Sequence, residues 1–382
     1  MLPYLSPYLN KLLDCGPGYL GGSLAGPLQA ERLRHWLMLL GRWAARRGLY
    51  QAARMWFRLA QGPRSTDVVA QRYALHCAHA VGDGATPLEF VILGTTGLCN
   101  ASCIHCPTGK ASTAQVPRTP MPMDTFERII RGIAQERRII TGHLAFGLFG
   151  DGLVDPFVNQ RAQMVRQYLP DVRLVINTNG AAFNLQRHAS LAGLIDAVTL
   201  HCESIDPETY NHLMQPLRLE NVVPKLEQVL RTFPVVQVSI PASRANLPHL
   251  RATAEWFRQR GAVDIHFDPL ASRCAEDTEV FDSLAFKPSP IACKPNALNS
   301  LIIDCDGKVL ACCQDFQRLH TVGDLQLQEL PEALADYRRT DLQQIFAEGR
   351  HAEVATCSRC RGDIRTPDFP FDVRVGELTT AW

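Results

Sequence analysis

From residue 88 onward the chain alternates short apolar runs with longer stretches whose apolar residues return at helical spacing. The runs "EFVILG", "HLAFGLF", "RLVINT", "AVTLHC", "VVQVSI" and "VDIHFD" read as strands. The stretches near 124–138, 158–169, 184–194, 208–232 and 247–260 read as amphipathic helices between them. Six such alternations over about 180 residues predict parallel strands with helices outside, an α/β chain wound into an open sheet or curled into a barrel. In both arrangements chemistry gathers at the C-terminal strand ends. After about residue 285 the alternation stops and cysteines reappear in a smaller region.

Ahead of the alternation, residues 1–27 are rich in Pro, Gly and Leu and read as an irregular lead-in, whereas 28–82 reads as helical. In "HWLMLLGRWAARRGLYQAARMWFRLAQGP", Leu37, Leu40, Gly41, Ala44, Gly48, Tyr50, Ala53, Phe57 and Ala60 resemble the spacing of a tetratricopeptide repeat. That resemblance implies a helical hairpin with small residues where the helices touch and a turn near Gly48. A second apolar period, "VVAQRYALHCAHAVGD", follows, but only one repeat is clear, and about three are needed for independent stability. Two readings stand: a helical cap on the main domain, or a docking module for a protein partner. The arginines at 42, 46, 47, 54 and 58 read as a solvated face. The predicted organisation is a helical region over 1–87, a main domain over 88–284 and a small domain with tail over 285–382.

Composition narrows the class. The chain has 382 residues, 46% hydrophobic and 20% charged, with a formal net charge of +1, so no global field draws it to nucleic acid or to a membrane surface. Its opening has no signal-peptide pattern, and no run of about 18 apolar residues predicts a membrane span, so the expected location is cytoplasmic. Thirteen cysteines, an odd number, then point to metal ligation in a reducing compartment rather than to disulfides.

"CNASCIHC", just past the first strand, places Cys99, Cys103 and Cys106 on one loop. Three thiolates at this spacing can turn inward around a 4Fe–4S cube and leave one of its four irons open to another ligand. A zinc site using His105 is the alternative, although His105 is poorly placed next to Cys106 and zinc favours paired C-x2-C spacing. Free thiols are the third reading.

The motif resembles the C-x3-C-x2-C signature of the radical S-adenosylmethionine superfamily, and the resemblance runs over 88–270. It implies a partial (β/α)6 TIM-type barrel and a 4Fe–4S cluster whose open iron binds S-adenosylmethionine. It further implies reductive cleavage of that compound to a 5′-deoxyadenosyl radical that takes a hydrogen atom from substrate. Phe149, Gly150 and Asp151 resemble the strand end that holds the methionine ammonium, with one glycine lost and Asp in place of Glu; an ordinary turn is the plain alternative. Asn179 in "NTNG" stands where relatives contact the cofactor, and Ser239 on the fifth strand is a candidate for the ribose or carboxylate. His105 occupies a position often aromatic in relatives, where the ring packs on adenine. His201 and Glu203 stand where relatives carry serine and aspartate, and are the candidate catalytic pair, His201 with a buried structural role as the alternative. His266 and Asp268 line the barrel or complete its core, and Cys202 reads as a core residue.

The later cysteines form a second set. In "DCDGKVLACC", Asp306–Gly307 predicts a hairpin turn whose returning strand delivers Cys312. Cys293, Cys312, Cys357 and Cys360 supply four thiolates, enough to close a second cube, with a closed zinc site as the alternative. The pattern resembles the SPASM and twitch auxiliary-cluster extensions of the same superfamily, and implies one auxiliary 4Fe–4S cluster. Cys313 can replace Cys312, Cys305 reads as a spare thiol, and Cys15, Cys77 and Cys274 read as packing residues.

A cluster with four protein ligands suits electron transfer. The leading expectation is therefore a redox enzyme that oxidises a small hydroxylated, sugar- or cyclitol-like molecule and is supplied with electrons by a flavodoxin or ferredoxin. The alternatives are a peptide-modifying enzyme of the same superfamily and a non-catalytic, zinc-stabilised scaffold.

Overall fold

The structure, a computed structural model, describes residues 27–45, 47, 49–61, 88–136 and 140–363. The lead-in and the second apolar period at 68–83 lie outside these residues.

The helices Pro27–Ala45 and Tyr50–Gln61 form a hairpin. Arg47 N and Leu49 N both donate to Ala44 O and set the turn. Ala44, Ala53 and Phe57 are fully buried, and a Cβ on Gly41 would stand 2.5 Å from the Phe57 ring, so the glycine permits the close helix approach. Leu40 departs from the repeat pattern, since it lies on the exposed face with Trp36 and Trp43.

The main unit is built on a nine-stranded sheet in the order β10-β9-β8-β1-β2-β3-β4-β5-β6. Its strands are β1 (Leu88–Leu93), β2 (Ile140–Phe146), β3 (Leu174–Thr178), β4 (Ala197–His201), β5 (Val236–Ala242), β6 (Asp264–Pro269), β8 (Leu301–Ile303), β9 (Lys308–Leu310) and β10 (Thr321–Asp324). All six strands expected from the apolar runs are present, in sequence order, and the registers from β2 to β6 are parallel. The mixed sheet accords with a partial barrel.

The expected helices also form. Met123–Glu136 buries Phe126, Ile129, Ile130 and Ile133 on one stripe. The long stretch 208–232 breaks into Pro207–Leu213 and Leu219–Thr232, and 184–194 into a short α-helix and a 3-10 turn. The reason for the first break is local: Met214 ends one helix, Pro216 follows within two residues, and Asn211 Oδ1 accepts from Leu219 N to start the next.

Asp306–Gly307 does make the predicted hairpin. β8 and β9 pair antiparallel, Ile303 opposite Val309, and Gly307 takes a φ of +85°. The hairpin does not stand apart, because β8 also pairs parallel with β1, Val91 opposite Leu301. A smaller sheet joins β7 (Pro288–Pro290) to β11 (Arg361–Asp363). Among the described residues no helix is long and apolar enough to cross a membrane.

Below the strand ends lies a buried ion pair. Arg161 Nε meets Asp155 Oδ2 at 2.7 Å with both side chains fully buried, and Arg161 Nη2 donates to Met121 O. Removing one member leaves the other charge unpaired in the core. Asp155→Ala is therefore expected to lower the unfolding free energy by about 3–5 kcal/mol, read from the urea midpoint.

Candidate active site

The thiol loop hangs from the end of β1 and is held by backbone contacts. Gly97 N donates to Thr119 O, Ser102 N to Gln215 O and Ile104 N to Leu213 O, so two separate segments grip it. Cys106 N donates to Cys103 O, which folds the last turn, and Cys99 Sγ accepts from Ala101 N at 3.4 Å. Thr108 Oγ1 closes the loop onto Phe149 O at 2.9 Å.

The charge of Cys106 is near enough to raise the pKa of Cys99, and those of Cys106 and Cys99 to raise that of Cys103. Burial is the larger effect: it pushes the Cys99 thiol up to about 12, with the Asp151 charge adding to the shift. Cys103 is raised by burial and then by Glu203. Thiols so held stay protonated until a metal replaces the proton. Beside Cys103 the buried Tyr210 hydroxyl has no hydrogen-bond partner, and a ligating thiolate is an acceptor it can use. Among the described residues no three His, Cys, Asp or Glu side chains converge on a single-ion site. A cube asks instead for one thiolate per iron, spread round its corners. The donor set fits a cluster.

Gly150 and Asp151 stand at the end of β2, and their role is visible in their contacts. A Cβ on Gly150 would lie 2.3 Å from Thr96 O and 2.6 Å from Leu98 O, so the glycine lets this turn press on the thiol loop. Asp151 N donates to Leu98 O. The Asp151 carboxylate is buried and accepts from Leu153 N, from Asn179 N at 2.7 Å and from the Thr178 hydroxyl at 2.8 and 3.0 Å. Burial nonetheless raises its pKa. Asn179 Nδ2 donates to Asn100 Oδ1 at 2.8 Å and lies 3.9 Å from Cys99 Sγ. Gly150, Asp151 and Asn179 thus tie the ends of β2 and β3 to the cysteine loop.

The ends of β4, β5 and β6 bring the ionisable groups together. His201 lies opposite Ser239, and Ser239 opposite His266, in adjacent registers on one side of the sheet. Ser239 Oγ donates to Asp268 Oδ2, which lies 3.7 Å from His266 Nε2. His105 Nε2 stands 3.4 Å from Glu203 Oε1, both deeply buried. At that distance the pair looks ionic, but burial pushes Glu203 up to about 8 and His105 down to about 3. At neutral pH it is a carboxylic acid beside a neutral imidazole. Burial also lowers His201 to about 4, against the raising influence of Asp268. Cys202 is buried and donates to Ser204 O, as a core residue does.

Arg273, absent from the sequence reading, joins this group from the segment after β6. It and Cys274 take φ of +57° and +52°, a left-handed conformation that costs an L-residue roughly 1–2 kcal/mol. No sequence signal marks it, since only a glycine or asparagine would announce such a φ.

The second cysteine set assembles in the C-terminal region. Cys360 raises the pKa of both Cys293 and Cys357, Cys293 adds to the shift of Cys357, and Cys293 also feels Cys313. The Cys312 and Cys313 thiols touch, and so do those of Cys274 and Cys360. Cys274 is buried in the core, as a packing residue is, and lies beside this set. Cys305 donates to Pro117 O and has no other cysteine among its electrostatic partners, in keeping with a spare thiol. His351 Nε2 meets Cys293 O at 2.7 Å and stacks on Phe346, steadying that arm. Between the two sets lies an apolar cluster of Phe149, Ile302, Leu310 and Phe316, against which Cys106 and Cys313 both pack.

Two outcomes follow from this geometry. Gly150→Val is expected to displace the loop and strip iron from the first site while the second keeps its own, measured as iron and sulfide per chain. Glu203 binds its proton more tightly folded than unfolded, so its contribution to stability is present below about pH 4.5 and is lost as pH rises through about 8. His105 and His201 are shifted the other way, and their contribution is present above 6.5 and lost on acidification. Glu203→Gln is expected to abolish the alkaline decline, up to about 1.4 kcal/mol per pH unit, in urea titrations from pH 6.5 to 8.5.

Comparison with known proteins agrees with this assembly. Residues 293–361 match the SPASM family model, an iron–sulfur cluster-binding domain. No curated protein matches the chain in sequence. The structure of native anSMEcpe with bound AdoMet shares 12% identity, with 72% of this chain and 90% of that one covered and a TM-score of 0.53. The same protein with AdoMet and the Kp18Cys peptide gives 13%, 72%, 90% and 0.51. BtrN in complex with AdoMet and 2-DOIA gives 15% identity over 72% of this chain and 92% of that one at 0.49, too loose to bear on what this chain does. The chain thus shares a fold with the AdoMet-bound anSMEcpe structure over 72% of its length, and its residues 293–361 match an iron–sulfur cluster-binding domain of the SPASM type.

Proposed function

We propose that the chain is a radical S-adenosylmethionine oxidoreductase that oxidises a small hydroxylated, sugar- or cyclitol-like substrate. The observation that carries this reading is the apolar cluster around Phe149 and Phe316, which packs against Cys106 of the first set and Cys313 of the second. It sets a site for radical generation and a site for electron uptake against the same apolar cluster. Cys99, Cys103 and Cys106 would hold the first cluster, and Cys293, Cys312 or Cys313, Cys357 and Cys360 the second. When bound, these groups and S-adenosylmethionine supply a 5′-deoxyadenosyl radical that removes a hydrogen atom, and an acceptor for one electron.

Converting an alcohol to a carbonyl also releases a proton, and that is the work of the chain. His201, neutral because burial pushes it down to about 4, is ready to accept it at neutral pH. Glu203, up at about 8, still carries a proton there and becomes a base only in alkali. Asp151 and Asn179 keep the thiol loop in register, and His105 beside Glu203 closes the pocket to charge. A flavodoxin or ferredoxin is the expected electron source. The competing reading, modification of a peptide, draws on the exposed Trp36 and Trp43 of the N-terminal hairpin as a recognition surface.

Anaerobically purified protein is expected to hold about eight irons with matching sulfide; zinc alone sinks the proposal. Replacing Cys99, Cys103 and Cys106 by alanine should abolish 5′-deoxyadenosine. Replacing Cys357 and Cys360 should spare 5′-deoxyadenosine but remove the oxidised product. With His201 as base, the product-forming rate is flat from pH 6 to 8; a rate rising through about pH 8 assigns the role to Glu203.

A further inference from the structure

The helix Pro27–Ala45 carries apolar residues on two of its sides. Leu37, Ala44 and Ala45 are buried in the hairpin core with Phe57. Leu33, Trp36, Leu40 and Trp43 form a second row, alternately three and four residues apart, as along the seam of a helix that packs on another helix. Trp36 is 62% exposed, Trp43 46% and Leu40 36%. Arg47 continues the row at the next step of four, and its guanidinium lies 4.4 Å over the Trp43 ring. Scattered single apolar residues are ordinary on a surface, whereas a continuous row with two tryptophans marks a place of contact.

Charge narrows what can cover this row. Residues 27–61 hold seven arginines against one glutamate, although the whole chain is balanced at +1. A second copy would bring two such basic hairpins face to face. The chain's own segments outside the described residues offer little acid in return: 1–26 holds one Lys and one Asp, 62–87 two Arg and two Asp, and 364–382 two Arg, two Asp and one Glu. A membrane surface asks for a broad apolar face, and this row is one residue wide.

We infer that the outer row of this helix docks an amphipathic α-helix of another protein, apolar along one side and rich in Asp and Glu beside it. The three-and-four spacing lets the apolar side chains of such a helix interleave with Trp36, Leu40 and Trp43. Tryptophan and arginine are the residue types on which binding energy concentrates, and the row ends in that pair. The partner's carboxylates meet the arginines of the hairpin and speed the encounter. Such docking is independent of which substrate is oxidised.

The test uses the full chain as wild type, as the double variant Trp36→Ala with Trp43→Ala, and as Arg47→Glu. The probes are a fluorescent helical peptide with Leu at the seam positions and Glu elsewhere, the same peptide with Lys in place of Glu, and vesicles of phosphatidylcholine with phosphatidylserine. Fluorescence anisotropy is expected to show saturable binding of the Glu peptide, weakened by salt, and no binding of the Lys peptide. The double variant is expected to bind the Glu peptide at least roughly tenfold more weakly, and Arg47→Glu also more weakly, both with the urea midpoint of the wild type. The proposal is overturned if the wild type does not bind the Glu peptide, if it binds the Lys peptide equally, or if the double variant binds as the wild type does. Three other results overturn it by naming another occupant. Co-sedimentation with vesicles and no peptide binding assigns the row to a membrane. A wild-type dimer that the double variant loses, read by light scattering, assigns it to a second copy. A lowered urea midpoint in the double variant assigns it to a segment of this chain.

Discussion

The cysteine loop has no regular secondary structure of its own, so its shape depends on what presses against it. The decisive contact is the close approach of the β2 turn, where Gly150 brings backbone to within a Cβ's width of Thr96 and Leu98 and Asp151 N bonds to Leu98 O. The same Asp151 gathers Thr178 and the Asn179 amide from β3. One turn thereby fixes the position of three thiols relative to two strand ends, before any metal binds. A loop preorganised in this way gives up little further chain entropy when a cluster forms on it.

Burial then sets the electrostatics. Thiols and Glu203 are pushed up, His105 and His201 are pushed down, and the result is a cluster of titratable groups largely uncharged near neutrality. Burial also makes any remaining charge strongly felt over the short distances of the site.

Much of this was legible from the chain. The six apolar runs marked β1 to β6 because strand period and helix period differ clearly, and "DCDGKVL" announced its hairpin through a glycine that must take positive φ. Cysteine spacing pointed to both metal sets. What stayed hidden depended on tertiary placement. Cys274 looked solitary because its neighbour Cys360 lies far along the chain, and Arg273 looked like any surface arginine. The pairing of His105 with Glu203 likewise joins two loops that no local pattern connects. The division of 208–232 into two helices was missed because its amphipathic period continues across Pro216.

The parallel register of β8 against β1 bears on how such a chain could have been put together. A module added at the C-terminus usually hangs from a linker and can be lost without harm to its host. Here the hairpin gives β1 its neighbour, and without it β1 would show a bare edge to other chains, inviting them to pair with it. The C-terminal region is therefore also a lid on a sticky border.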